Sequence, residues 1–443
     1  MDRLFFCIIL IILFVVHFYN LIRENRKNGR VGAFSAVMLT CIIYYDLYPL
    51  LVYSWGNEND LTVNQLEIRG ANVLNFLFAE LCIIVFTLFF YFAYHRYNNR
   101  AKREVYTYDQ AKFVRICAWM SHFTFFIGAT TFIAYIYAFG GIGSLLAKAE
   151  YLRSFATSGA EFVSRFQSIL VVPARMITVT PVVSFPLTTK DFSVNYKFIY
   201  KLEFCLSLLL SIVFLLTNAG KAPIIVFSIC FIMPILKKFF KHPWRMVFLF
   251  SFFSLPILDY MDELFVWLQK GFWVQSTRSS IEILDQFGYI YQNNLYLQEI
   301  VAQYGIRWCQ DFITGFLNVV PGITKFPPSY IVTSEFFNGV NWMYIGGRPV
   351  DIITFGYLEL GLLGVILMAI LFGIICGKLD RIIESLPSKT GFIVVTTSIL
   401  ACIYTYIMSS DISGLVRNQF QFYLVVICLL YAVRRKSCVE DKE

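Results

Sequence analysis

Gly346-Gly347-Arg348-Pro349 leads through Asp351 into Phe355-Gly356-Tyr357-Leu358-Glu359-Leu360-Gly361. Polar, aromatic-rich sequence gives way here to an apolar run that continues beyond Gly364. Upstream, residues 259–364 begin as the tail of another apolar run and become a loop spanning 267–350. Most other connections are short. A long loop among short ones is where a chain that repeatedly crosses a membrane keeps its chemistry.

The rest of the chain agrees with that reading. Of 443 residues, 58% are hydrophobic and only 15% charged, with a mean hydropathy of +0.64. A soluble domain carries about 25% charged residues. Apolar runs of about 20 residues recur throughout, the length a helix needs to span a bilayer. The strict polar–apolar alternation of a porin-like barrel is missing. The expectation is an all-α polytopic membrane protein with one membrane domain over 1–443. Its eleven spans fall at 4–22, 31–53, 71–95, 113–139, 164–187, 199–217, 221–236, 246–266, 351–377, 391–409 and 412–433.

Charge sets the orientation. Arg23, Arg26, Lys27 and Arg30 follow the first span; Arg96, Arg100, Lys102, Arg103 and Lys112 follow the third. Lys190 and Lys197, then Lys237, Lys238, Lys241 and Arg245, then Lys378, Arg381 and Lys389, then Arg434, Arg435 and Lys436 continue the alternation. The connections between them, such as 54–70 with Glu58, Asp60 and Glu67, are not basic. The positive-inside rule therefore predicts the N-terminus outside, the C-terminus in the cytoplasm, and the 267–350 loop outside. The net charge of +8 follows from this rule and does not indicate nucleic-acid binding. The first apolar run precedes its basic residues and has no small-residue cleavage site, so it reads as a retained span.

Many features of soluble enzymes are missing. There is no P-loop, GxSxG, HExxH or Rossmann fingerprint. His17, His95, His122 and His242 do not cluster, so no metal site and no cofactor is expected. No CxxC occurs, and Cys309 is the one cysteine on the long loop, so no disulfide framework is expected there. Pro173, Pro181 and Pro186 should break the span at 164–187. Ser279-Ser280-Ile281-Glu282 can cap a short helix with Leu284, Phe287 and Tyr291 on one face. Phe312 to Val320 is apolar but too short to span, which suits a helix lying in the outer interface with Trp267, Trp273, Trp308 and Trp342 at headgroup level.

Ionisable residues at membrane depth or at the outer rim are functional candidates, because hydrocarbon makes them costly. Arg175 lies between the prolines and is either an anion ligand or the partner of a carboxylate such as Glu80. Lys221 stands at a helix start, a position suited to anions or to a snorkelling lysine. Arg278 lies among Ser276, Thr277, Ser279 and Ser280, where a guanidinium fork and hydroxyls suit a phosphate. Arg348 leads into the span carrying Glu359, whose neighbours Gly356, Gly361 and Gly364 allow close approach. Glu359 faces a cavity or pairs with an arginine such as Arg175. Glu335, Asp351, Asp411 and Arg417 also lie near the outer face. Cations suit a pyrophosphate, and aromatics with amides suit sugar rings.

Three further segments carry a family likeness. They are Phe139-Gly140-Gly141-Ile142, Val319-Val320-Pro321-Gly322-Ile323-Thr324-Lys325-Phe326-Pro327-Pro328, and the Phe355 to Gly364 run with its Gly-punctuated continuation to Gly377. With the many spans and one large late outer loop, the chain resembles bacterial O-antigen polymerases, the Wzy-type oligosaccharide repeat-unit polymerases. The family often has Arg where this chain has Lys221, which keeps the charge but loses the bidentate fork. The resemblance implies a GT-C-like glycosyltransferase in the bacterial inner membrane, acting in lipopolysaccharide, capsule or exopolysaccharide biosynthesis. Its substrates would be oligosaccharides on undecaprenyl pyrophosphate, and its partners a flippase and a chain-length regulator. Arg278 and Arg348, with Lys221, Arg175 and Arg417, would face the pyrophosphate, and Glu359 would be the base. The alternatives are an O-antigen ligase, expected to use a loop His that 267–350 lacks, and a lipid-linked oligosaccharide flippase, expected to show a duplicated layout with short loops.

Overall fold

The computed structural model describes residues 2–28, 32–100, 104–149, 165–217, 221–240, 255–274, 280–317, 327–339, 348–387 and 389–437. Among them eight helices are long and apolar enough to cross a membrane. They are Asp2–Glu24, Ala33–Ser54, Val73–Asn99, Gln110–Ala138, Ile169–Thr188, Lys197–Thr217, Ile352–Ser385 and Thr390–Met408. Helices also occupy the three remaining expected positions, at Lys221–Phe239, Leu255–Lys270 and Ile412–Ala432. The chain is thus a multi-pass helical protein. Leu4, Ile8, Ile12 and Val16 are exposed on the first helix, as on a face turned to lipid.

The core forms where small residues let helices touch. Gly373 lies against the Phe90 carbonyl and Ala93, so the Ile352–Ser385 helix packs closely on Val73–Arg100. The proline-rich span is broken as expected: Arg165–Ala174 gives way to a 3-10 turn, Arg175–Thr178, before Thr180–Thr188 resumes. The second span contains a π-helical turn at Ile42–Leu47.

One departure from an all-α chain is a two-stranded antiparallel sheet. Glu104–Tyr108 pairs with Val433–Ser437, with Glu104 opposite Ser437 and Tyr108 opposite Val433. Both strands fall in or beside basic connections, where no strand was expected. Asp380 accepts from the Phe34 backbone N–H at 3.1 Å and from the Tyr94 hydroxyl at 2.8 Å. Arg381 donates to Asn98 at 3.3 Å, and Lys389 donates to Gln110 at 3.3 Å. Lys389 also donates to the Asp191 carbonyl at 3.3 Å, so the basic connections after the first, third, fifth, ninth and last expected spans meet at one end of the bundle.

The expected span 351–377 is not one straight helix. Leu360 (φ −145°) and Gly361 (φ 61°, ψ −149°) leave helical geometry. A Cβ built on Gly364 would lie 1.9 Å from the Gly356 carbonyl oxygen. On an unbroken helix these residues would be about 12 Å apart. Residues 352–359 therefore form a half-helix folded back on the helix that continues from Gly361. The close approach expected of these glycines occurs within the chain itself.

The long loop is largely helical where it is described, through Gly288–Leu295, Leu297–Tyr304, Gln310–Leu317 and Ser329–Asn338. The capped helix expected near Ser280 is a single turn, Ser280–Ile283, followed by a 3-10 turn, Leu284–Phe287. The helix expected to lie in the interface starts at Gln310, slightly earlier than expected, and exposes Phe312, Ile313 and Leu317. Trp267, Trp273 and Trp308 are exposed, as an aromatic belt requires. Trp342 lies outside the described residues.

Candidate functional site

The polar site lies where the half-helix begins, against the 54–70 connection, which joins Ala33–Ser54 to Val73–Asn99 at the end opposite Asn98 and the basic connections. Gln292, Asn293 and Asn294 are three consecutive amides, all fully buried. Together they grip the 348–351 segment. Gln292 accepts from the Arg348 Nη1. Asn293 donates to the Pro349 carbonyl at 3.0 Å, and Asn294 donates to Asp351 at 3.1 Å. Asp351 caps the half-helix through the Ile353 N–H at 3.3 Å and accepts from the Tyr45 hydroxyl at 2.6 Å. This helix turn fixes the loop's return to the bundle.

Arg348 is 8% exposed and sits between two amides. Its Nη2 donates to Asn64 Oδ1 at 2.7 Å, and its guanidinium lies 4.2 Å from the centre of the Phe337 ring. Each amide is backed by an acid: Gln292 donates to Glu67, and Asn64 donates to Asp285 at 3.0 Å. The two carboxylates act on Arg348 through an intervening amide. Among the described residues no carboxylate oxygen lies within salt-bridge distance of it. Burial pulls the guanidinium down to about 10, opposed by Glu67 and Asp285, so it keeps its charge at neutral pH. The nearest partners of the guanidinium are thus neutral amides, with acidic counter-charges one residue back.

A second charged group closes the half-helix. Glu359 is 1% exposed and lies 3.5 Å from Arg307 Nε. Its Oε2 accepts from the Asp311 backbone N–H at 3.4 Å. Arg307 also donates to Asp311 and, at 2.6 Å, to the Pro327 carbonyl. Asp311 in turn accepts from the Ser329 N–H at 2.8 Å. The Arg307 backbone N–H donates to the Leu358 carbonyl at 2.9 Å. The next two residues, Trp308 and Cys309, both take left-handed backbone (φ 53° and 63°). Such consecutive non-glycine residues store strain, a mark of sites that hold a loop in an imposed shape.

No family model, curated protein or solved structure matches the chain.

Of the expected site residues, Arg348 and Glu359 fall at the two ends of one half-helix. The arginine that Glu359 needs is Arg307, not Arg175. Sequence reasoning missed Arg307 because nothing local distinguishes it from a solvated loop arginine. It also missed the Gln292-Asn293-Asn294 run, whose signal was three adjacent amides within a stretch rich in apolar and aromatic residues. Arg175 lies beside Tyr135, Ala174 and Ile177 in a separate apolar cluster, and Glu80 is bonded to Tyr291 at 2.7 Å instead. Lys221 does start a helix, but its ammonium is paired with Asp262 at 2.5 Å. Arg417 falls within the Ile412–Ala432 helix. Arg278 lies outside the described residues. Among the described residues no His, Cys, Asp and Glu group could hold a metal ion.

Proposed function

We propose that this chain polymerises lipid-linked oligosaccharide repeat units on the outer face of a bacterial inner membrane, with eleven spans and the C-terminus in the cytoplasm. The observation that supports the reading most is the setting of Arg348. It is a buried guanidinium, presented by neutral amides and an aromatic ring, at the end of the bundle opposite the basic connections. By the positive-inside rule that end faces outward.

In this reading the acceptor sugar hydroxyl attacks the anomeric carbon of the donor. The new glycosidic bond forms as the bond to undecaprenyl pyrophosphate breaks. The hydroxyl proton passes to a base, and the electron pair leaves with the pyrophosphate. The chain must supply positive charge where that anion develops and a carboxylate for the proton. Arg348 takes the first role, with Arg278 from the same loop. Glu359 takes the second, held in place by Arg307. Lys221, Arg175 and Arg417 are weaker candidates for the lipid pyrophosphate, Lys221 because Asp262 already offsets its charge.

Deleting the gene in its host and resolving the surface glycan by size tests the proposal. Collapse of a ladder to a single repeat supports it. Loss of all surface glycan, with repeats retained inside, would overturn it in favour of a flippase. An intact but unattached polymer would point to a ligase.

A further inference from the structure

Away from the Arg348 site, three titratable side chains lie buried inside the spanning bundle. His17, Asp46 and Glu80 come from the first three spans and are 1%, 0% and 2% exposed. Asp46 lies on the π-helical turn, a distortion frequent at functional positions. His17 Nδ1 lies 2.7 Å from Asp46 Oδ2, and His17 Nε2 lies 3.2 Å from the Thr87 hydroxyl oxygen. The Thr87 hydrogen is already donated to the Ile83 carbonyl at 2.9 Å. Thr87 therefore accepts from His17, and Nε2 carries a hydrogen. The contact with Asp46 needs a second hydrogen. The pair thus holds two protons and is neutral overall, whether written as imidazolium with carboxylate or imidazole with acid.

Glu80 lies on the same helix as Thr87, two turns away and so on the same face. Its Oε1 accepts from the Tyr291 hydroxyl at 2.7 Å, while Oε2, like Asp46 Oδ1, finds no donor among the described residues. Asp46 and Glu80 interact electrostatically. Among the described residues the other titratable groups acting on the two acids are Tyr53, Tyr291 and Cys41, none of them cationic. A second carboxylate charge here would find no counter-charge among those residues, in a medium that penalises it heavily.

We propose that His17, Asp46 and Glu80 form a proton-binding site within the membrane-spanning bundle, with Glu80 the group that takes up and releases the proton. The site is linked to the outer one through a single helix. Tyr291, which reports on Glu80, immediately precedes Gln292, which holds Arg348. Loss of the proton places a full charge against the Tyr291 hydroxyl and tightens that bond, which biases the helix positioning Arg348. The inference does not depend on what the outer site binds.

Infrared spectroscopy of the purified full-length protein in detergent, titrated with pH, tests it. The expected result is a carboxylic-acid C=O band that disappears as pH rises and is missing from Glu80→Gln. Tyr291→Phe keeps Glu80 but removes its hydrogen bond, so the band should shift in frequency. A wild-type protein with no such band, or one whose band is unchanged in both variants, would overturn the proposal.

Discussion

Arg307, with Glu359 and Asp311, shows what a buried charge cluster contributes. Removing one partner of a buried ion pair costs about 3–5 kcal/mol, because the other charge is left uncompensated. Arg307→Ala should therefore lower the melting temperature of the purified protein sharply. Adding Glu359→Gln to Arg307→Ala should recover part of the loss, because it removes one stranded charge. A double variant less stable than Arg307→Ala would show that the pair is not the source of the effect. Glu359 was legible in the sequence as an acid at membrane depth, but its partner was not. Pairing across a fold leaves no local trace, and Arg307 reads like any loop arginine. The same holds for Glu80, whose contact is the Tyr291 hydroxyl and not the arginine that charge matching suggested.

At the scale of elements, the break at Leu360 and Gly361 positions the site. Hydropathy reports an uninterrupted apolar run there, since it does not register backbone conformation. The proline-broken span was legible, because proline fixes φ and removes a donor whatever surrounds it. The glycine break was legible only as small residues in sequence. Gly361→Ala puts a side chain on a positive-φ extended backbone that glycine alone adopts readily, at about 1–3 kcal/mol. Gly364→Ala drives a methyl into the Gly356 carbonyl and should cost more. Gly56→Ala meets nothing within 4 Å and serves as the control. Thermal melts should rank the variants Gly56→Ala, Gly361→Ala, Gly364→Ala from most to least stable. Equal stability of Gly364→Ala and Gly56→Ala would contradict the folded-back half-helix.

For the whole molecule, periodic charge and apolar length were enough to read a multi-pass helical architecture. They also placed the basic connections together, and the sheet between 104–108 and 433–437 ties two of them physically. The sheet itself was illegible, because a charged pair of strands at the end of a bundle looks like loop. Orientation follows by inference and is open to labelling. In intact cells, an impermeant thiol reagent should modify a cysteine placed at exposed Asn59 and spare one at exposed Lys190 until the membrane is opened. The opposite pattern would invert the molecule and move Arg348 to the cytoplasmic side. The central claim is that the Arg348 charge supports polymerisation, and its most direct test is the surface-glycan ladder of a deletion strain carrying Arg348→Ala or Arg348→Lys. With membrane levels equal to wild type, Arg348→Ala should leave single repeat units, and Arg348→Lys should restore only short chains because the planar fork is lost. A full-length ladder from Arg348→Ala would contradict the account.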